Sequence, residues 1–325
     1  MNRRSLFLII ILVMVSAVSI AVFPFAGPLD IQVDSIFSDN MMSRVFWYLR
    51  FPRVAGAFLA GAVLAVAGMM FQSLFRNDLA TPYTLGVSSG AALGAVLAIK
   101  IYSGLVPSLP VVEIMSFAGA AATVALIFAL SALKKRNSAQ FLILAGIAVN
   151  FTASGFILFI QFLASGSESS GMVRWMMGSL DFTGIMPVIK LATAFLVIVP
   201  VSFYLHRELD LMKIGTDIAI SRGVNIRKTT NMIFFTVSFS VAVVVSQTGP
   251  IGFIGLIAPH IGRKLVNREH RYLIPASLLI GGLLLLISDT IARTIIVPSE
   301  IPVGVITALA GGPFFLFMLL REKEH

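Results

Sequence analysis

The chain contains no cysteine, which excludes disulfides, thiolate metal sites and cysteine nucleophiles. Charge is sparse as well: Asp, Glu, Lys and Arg make up 12% of the 325 residues, against 58% hydrophobic. With a mean hydropathy of +0.95, the apolar content exceeds what a water-soluble core of this size needs, and the chain reads as an integral membrane protein. Histidine is rare: His206, His260, His270 and His325 are scattered, with no H-E-x-x-H or comparable spacing. Asp and Glu do not pair at helical intervals within the apolar runs, so neither a catalytic nor a metal-binding constellation can be drawn. His260 follows Pro259 and reads as a turn or packing residue rather than a metal ligand. There is no G-x-x-x-x-G-K-[ST] phosphate loop, so this chain does not cradle ATP in that manner by itself. The net charge of +9 does not point to nucleic acid, because the basic residues sit in short loops between apolar runs rather than along one solvated face.

What the sequence does have is a series of ten apolar runs: 5–24, 54–75, 82–100, 113–133, 139–164, 187–205, 229–248, 252–266, 273–292 and 301–320. The first follows Arg3 and Arg4 and is nearer a full span than a signal core, so it reads as an uncleaved helix, with a signal peptide as the alternative. The run at 252–266 is too short to cross a hydrocarbon core of roughly 30 Å upright and holds Pro259. It is expected to be a partial helix sheltered by protein or a re-entrant piece. An inside amino terminus puts seventeen of the twenty-four Lys and Arg residues on the cytoplasmic side, including Lys134, Lys135, Arg136, Arg207, Lys213, Arg263, Lys264 and Lys323. Arg44, Arg50, Arg53, Lys100, Arg174, Lys190 and Arg293 are left outside or at the outer edge, and both termini are cytoplasmic. No linker divides the chain, so residues 1–325 read as one membrane domain. The spans at 54–164 and 229–320 each hold four helices, which permits an inverted repeat; an unrelated string of helices is the alternative.

Three local patterns stand out. Gly86, Gly90 and Gly94 recur at every fourth position, which lets helix backbones approach closely where lipid gives no hydrophobic drive; a ligand-facing role is the alternative. Asn150, Thr152, Ser154 and Gln161 lie in the apolar run 139–164, and they either cross-link helices or line a wet passage. The segment 207–228 mixes charges with Leu209, Leu211, Met212, Ile214, Ile218 and Ile220, so it can form short amphipathic helices against a soluble surface or against the membrane.

Five ordered motifs carry a resemblance that covers nearly the whole chain after the first helix. They are R-F-P-R at 50–53, A-G-M-M-F-Q-S-L-F-R-N-D-L-A-T-P-Y-T-L-G at 67–86, G-P-I-G-F-I-G-L-I-A-P-H-I-G-R at 249–263, S-D-T-I-A-R at 288–293 and E-I-P-V-G-V-I-T-A-L-A-G-G-P-F-F at 300–315. Together they resemble the FecCD family, the membrane subunits of binding-protein-dependent ABC importers for ferric siderophores, haem and vitamin B12. The resemblance implies an all-α permease of about ten transmembrane helices, of the type II importer class, in a bacterial or archaeal cytoplasmic membrane. It implies a second permease copy or close paralogue, two cytoplasmic ATPase subunits that use ATP and Mg, and an extracytoplasmic substrate-binding protein. The chain itself would bind no cofactor or metal and would be a transport subunit rather than an enzyme.

Residue roles follow from the same resemblance. Arg50, Arg53 and Arg293 correspond to arginines that meet glutamates of the binding protein, although a membrane-edge arginine also serves as a headgroup anchor, and Asp289 is placed to hold Arg293 on its own helix. The loop 207–228 corresponds to the element that sits in a cleft of the ATPase, with Leu211, Gly215, Thr216, Asp217, Ala219 and Gly223 at the contact. Thr216 departs from the acidic residue common in the family, which makes partner specificity less defined than the role. Asn150, Thr152, Ser154 and Gln161 fall on the helix that flanks the family's pathway. The cargo stays open among iron chelates, haem and cobalamin. An ion-gradient-driven secondary transporter is the rival reading; it would need a charge deep in the membrane, and Glu113, Asp289 and Glu300 all fall near run ends.

Overall fold

The computed structural model describes residues 3–27, 31–38, 40–102, 110–133, 139–296 and 299–321. Lys134, Lys135, Arg136, Lys323 and His325, which entered the readings above, lie outside the described residues. Among the described residues there is no strand, and fourteen α-helices follow one another: α1 (Arg3–Val22), α2 (Met41–Val45), α3 (Phe51–Phe75), α4 (Val87–Tyr102), α5 (Val111–Leu133), α6 (Ala139–Phe162), α7 (Gly166–Met176), α8 (Met186–Tyr204), α9 (His206–Ile214), α10 (Thr216–Ser221), α11 (Ile226–Thr248), α12 (Ile254–Leu265), α13 (His270–Thr294) and α14 (Val303–Arg321). Seven helical stretches are long and apolar enough to span a membrane, and Val87–Tyr102 and Val303–Phe317 are shorter apolar helices. With α12 these account for the ten expected runs.

The long helices alternate in direction between two ends of the bundle, one carrying α7 and the other α9. Chain order, the pair Lys100–Glu168 that ties α4 to α7, and the bond from Asn267 N–H to Ser5 Oγ at the opposite end fix that alternation. The 12-residue α12 is about 18 Å long, so it crosses only part of a membrane. It packs against α3, α13 and α14, which makes it the sheltered partial helix. The run at 82–100 differs from expectation: Pro82–Leu85 form a 3₁₀ turn closed by Gly86, and the helix starts only at Val87. Proline sets the turn's first residue and removes a donor that the turn does not need.

Both quartets of helices follow one pattern. The long α3 is followed by a break and the short α4, and the long α11 by a break at 249–253 and the short α12. Tyr83, from the first break, donates its hydroxyl to Ile251 O at 2.5 Å and accepts from Ile251 N–H at 2.7 Å, so the second break is pinned by the first. Broken backbone inside a membrane must find such partners, because lipid offers none. Across the quartets α3 packs on α13 while α11 packs on α5, with the two leading helices running in opposite directions.

At the centre lies α3, whose residues from Ala60 to Leu74 are all buried. Its small residues explain that position. A Cβ on Gly61 would stand 2.3 Å from Gly281 O of α13, and one on Gly68 would stand 1.9 Å from Gly255 O of α12. Only glycine lets these backbones touch, and touching backbones gather the dispersion contacts that hold helices together in lipid.

Candidate functional site at the two ends of the bundle

The α7 end is built around three arginines. Arg50 closes a π-helical turn, Phe46–Arg50, that feeds directly into α3. Its guanidinium is folded inward, 7% exposed, and Nη1 donates to Pro24 O at 3.2 Å and Phe25 O at 3.1 Å. Arg53, one turn into α3, donates through Nε to Asp289 Oδ1 of α13 at 3.0 Å and through Nη1 to Glu300 at 2.6 Å, with Asp181 at 3.7 Å. Arg293 is 5% exposed and donates to Phe23 O at 2.9 Å. Two of the expected edge charges, Arg50 and Arg293, are therefore interior, and Arg53 lies at the edge. The apolar surroundings of α1, α3 and α13 shut water from Arg50 and Arg293, whose guanidiniums turn to carbonyls of the chain itself, while Arg53 is 14% exposed and shares its edge with Asp181 and Glu300.

The intrahelical pair of Asp289 with Arg293 exists at 3.7 Å, but the shorter bonds to Asp289 come from Arg53. Sequence reasoning did not connect Arg53 with Asp289, Glu300 and Asp181. The residues lie more than a hundred positions apart, and no local spacing joins them. Asp181 and Glu300 keep an exposed edge and, with Arg174, border a small polar cleft above Arg53. Beside it, α7 is held by a capping box between Ser165 and Glu168, and Lys100 of α4 donates to the same carboxylate. Lys190 of α8 reaches Glu113 of α5, which Gln247 of α11 also approaches at 3.0 Å.

The α9 end carries the segment 207–228. It forms α9 and α10 joined at Gly215, and then turns at Gly223, whose φ of +83° lies in the left-handed region that favours glycine. Leu209, Met212 and Ala219 are buried against the bundle, with Leu211 half-buried. Thr216, Asp217, Ile218 and Ile220 face outward, as does Ile214 at 66% exposure. The amphipathic reading is thus realised as two short helices with one apolar side docked and one unpartnered. The Asp210 carboxyl of α9 would be raised by burial, but hydrogen bonds from the His270 ring and backbone N–H outweigh this and hold it below the usual carboxylate value.

Along α6, Asn150, Ser154 and Gln161 share one flank of the helix, and Asn150 and Ser154 are exposed. Gln161 turns to Met176 Sδ of α7 at 3.7 Å. Thr152 points elsewhere, donating to Ala148 O at 2.9 Å and lining an apolar cavity of about 670 Å³ between α4, α5 and α6. Of the glycine series, Gly90 and Gly94 hold α4 on α5, where a Cβ would stand 2.0 Å from Thr123 Oγ1 and 2.0 Å from Met115 O. Gly86 is not on that helical face; it is the left-handed turn residue before α4, with φ +76°.

A sequence profile of the FecCD transport family matches residues 6–321. The chain belongs to this family. The hemin transport system permease protein of Yersinia pestis is 36% identical over 290 residues, covering 89% of this chain and 86% of that one. The cobalamin import system permease protein of Halobacterium salinarum is 37% identical over 284 residues, covering 85% and 73%. A solved structure described as an inward-facing conformation of an ABC transporter of the metal-chelate type matches with a TM-score of 0.87 at 28% identity, covering 97% of this chain and 99% of that chain. As a FecCD chain, this protein is a multi-pass membrane permease subunit of an ABC importer, a transport component and not an enzyme. Dimerisation, ATPase partners and a substrate-binding partner belong to that role, and the ion-gradient carrier is set aside.

Proposed function

We propose that this chain imports an iron chelate, either a ferric siderophore or haem, or else cobalamin, across a bacterial or archaeal cytoplasmic membrane, working with a second permease copy or a close paralogue. The observation that carries the reading is the two-sided α9–α10 element. One side is fixed in the bundle through Leu209, Met212 and Ala219, and the other offers Ile214, Thr216, Asp217, Ile218 and Ile220 to a soluble partner. The partner is a cytoplasmic ATPase, two per importer, which uses ATP and Mg. Arg207, Lys213, Arg222, Arg227, Lys228, Arg263 and Lys264 gather at the same end, which supports a cytoplasmic orientation for α9 and for both ends of the chain.

The α7 end then receives the extracytoplasmic binding protein. Arg50, Arg53 and Arg293 serve that docking from inside. They fix the segment after α1, the start of α3 and the turn before α14 into one rim, and Arg53 orients Glu300 and Asp181 at its surface. The path for cargo runs beside α6, past Asn150, Ser154 and Gln161, while Thr152 faces the apolar cavity between α4, α5 and α6. Partner hydrolysis moves α9–α10, and the bundle alternates in access.

The test is reconstitution of the permease with its ATPase in vesicles and addition of the binding protein loaded with haemin, ferrichrome or cobalamin. ATP-dependent uptake of one of these supports the reading. Uptake that persists without the ATPase and collapses with the proton gradient overturns it.

A further inference from the structure

At the α9 end, three polar side chains from three elements form a continuous chain. Ser73 Oγ, two residues before the end of α3, lies 2.6 Å from His270 Nε2, and His270 Nδ1 lies 2.6 Å from Asp210 Oδ1 on α9. The same Oδ1 accepts from the His270 backbone N–H at 3.0 Å. The order is that of a hydrolytic triad, but Ser73 is 1% exposed and His270 0%, so no substrate reaches the hydroxyl.

The hydrogen-bond inventory shows what the arrangement does instead. A carboxylate only accepts, so Nδ1 carries a proton toward Asp210. With a neutral ring, Nε2 accepts from the Ser73 hydroxyl. With a charged ring, Nε2 donates to Ser73, whose hydroxyl turns to Met69 O, 3.0 Å away. Every group is satisfied in both states, so the chain of bonds holds whether or not the ring is protonated. It is a mechanical link.

The location of the link gives it a role. Leu209 and Met212 attach α9 by apolar contact, which has no direction and permits sliding. Among the described hydrogen bonds, the Asp210–His270 pair is the polar tie from α9 to a membrane helix other than its neighbour α8. His270 is the first residue of α13, and Ser73 joins it to α3. These two helices touch backbone to backbone at Gly61 and Gly281, and at the far end Arg53 bonds Asp289. The α3–α13 pair is therefore fastened at both ends and in the middle, and one of its fastenings extends to α9.

We propose that His270 is the positioning residue through which movement of the α9–α10 element is carried into the α3–α13 pair and on to the α7 end. This rests on the reading of α9–α10 as the ATPase contact. The absence of native cysteine makes a direct test practical, since one introduced cysteine labels one site. The permease–ATPase complex would carry Phe162→Cys at the α7 end of α6, modified with a spin label, and distances between the two copies would be read with and without Mg-ATP and vanadate. In the background with His270 intact, a nucleotide-dependent shift is expected. His270→Ala should keep the ATPase bound and hydrolysing but reduce the shifted population ratio about tenfold. His270→Asn, whose amide N–H takes the place of Nδ1–H toward Asp210, should restore most of it.

Equal shifts in the intact and His270→Ala proteins overturn the proposal, as does a His270→Asn variant no better than alanine. If His270→Ala does not fold, Asp210→Ala, which removes the tie from the α9 side, decides: a reduced shift with the ATPase still bound supports the link, and an unchanged shift overturns it. Failure of the intact chain to hold any ATPase would instead overturn the function on which the proposal rests.

Discussion

Arg53 stands where three carboxylates converge, and their unequal burial decides what each contributes. Asp289 is enclosed, whereas Asp181 and Glu300 reach solvent. Removing one partner of a buried ion pair leaves the other charged without water, at about 3–5 kcal/mol, whereas an exposed partner is worth about 0–1 kcal/mol. Arg53→Met should therefore lower the apparent melting temperature of the purified permease sharply. The double substitution Arg53→Met with Asp289→Asn should recover part of the loss, because the stranded charge is gone. Asp181→Asn should leave melting within the error of the measurement. A single-residue reading of the sequence marks these arginines but cannot tell an edge charge from a buried one, since burial here depends on α1 and α13 closing over them. The same limit applies to His270, whose partners Ser73 and Asp210 lie 197 and 60 positions away.

Elements were more legible than pairings. The ten apolar runs, the partial helix at 252–266 and the amphipathic character of 207–228 all follow from hydropathy and proline placement, which act locally. The start of α4 did not follow: Pro82 and Gly86 are turn residues that the apolar run 82–100 absorbed, and the 3₁₀ path between them is held by Tyr83 bonding Ile251 across the bundle. Glycine spacing likewise predicted close packing at Gly90 and Gly94, but it did not single out Gly68, which has the tightest approach of any glycine to another backbone among the described residues. Gly68→Ala must push α12 away from α3. A loss of about 1–3 kcal/mol is expected for such overpacking, seen as lower melting and aggregation on gel filtration. Gly312→Ala in α14, where an added Cβ meets nothing within 4 Å, should be neutral in the same assays.

The α9 element also carries a pH signature. The folded Asp210 carboxyl sits below its ordinary value, so its contribution to stability is fully present above the unfolded value of about 4 and is lost as pH falls through the lower folded value. The gap in melting temperature between the intact protein and Asp210→Asn should therefore be open at neutral pH and narrow below about pH 4. A gap that widens on acidification would mean that the carboxyl is not held by His270.

For the whole molecule, the burial of Arg50 and Arg293 bears on the proposed docking of a binding protein at the α7 end. Encounter is steered by charges that project into solvent, and among those on the described rim are Arg174, Asp181 and Glu300, which line the cleft above Arg53. Rim charges act mainly on association rate, and their reach shrinks from about 10 Å at 0.1 M salt to about 3 Å at 1 M. Arg174→Glu and Asp181→Asn should thus change the association rate of the binding protein in opposite directions at low salt. Each change should be severalfold and should vanish in concentrated salt, while dissociation and thermal stability stay constant. Arg293→Glu should behave differently, because it breaks the bond to Phe23 O and sets two carboxylates beside each other on α13. Its defect should appear as lost stability that salt does not repair. Surface plasmon resonance across a salt series, with melting measured on the same preparations, separates the two. If Arg293→Glu instead melts normally and loses binding only at low salt, the guanidinium reaches the partner directly and the rim is not held from within.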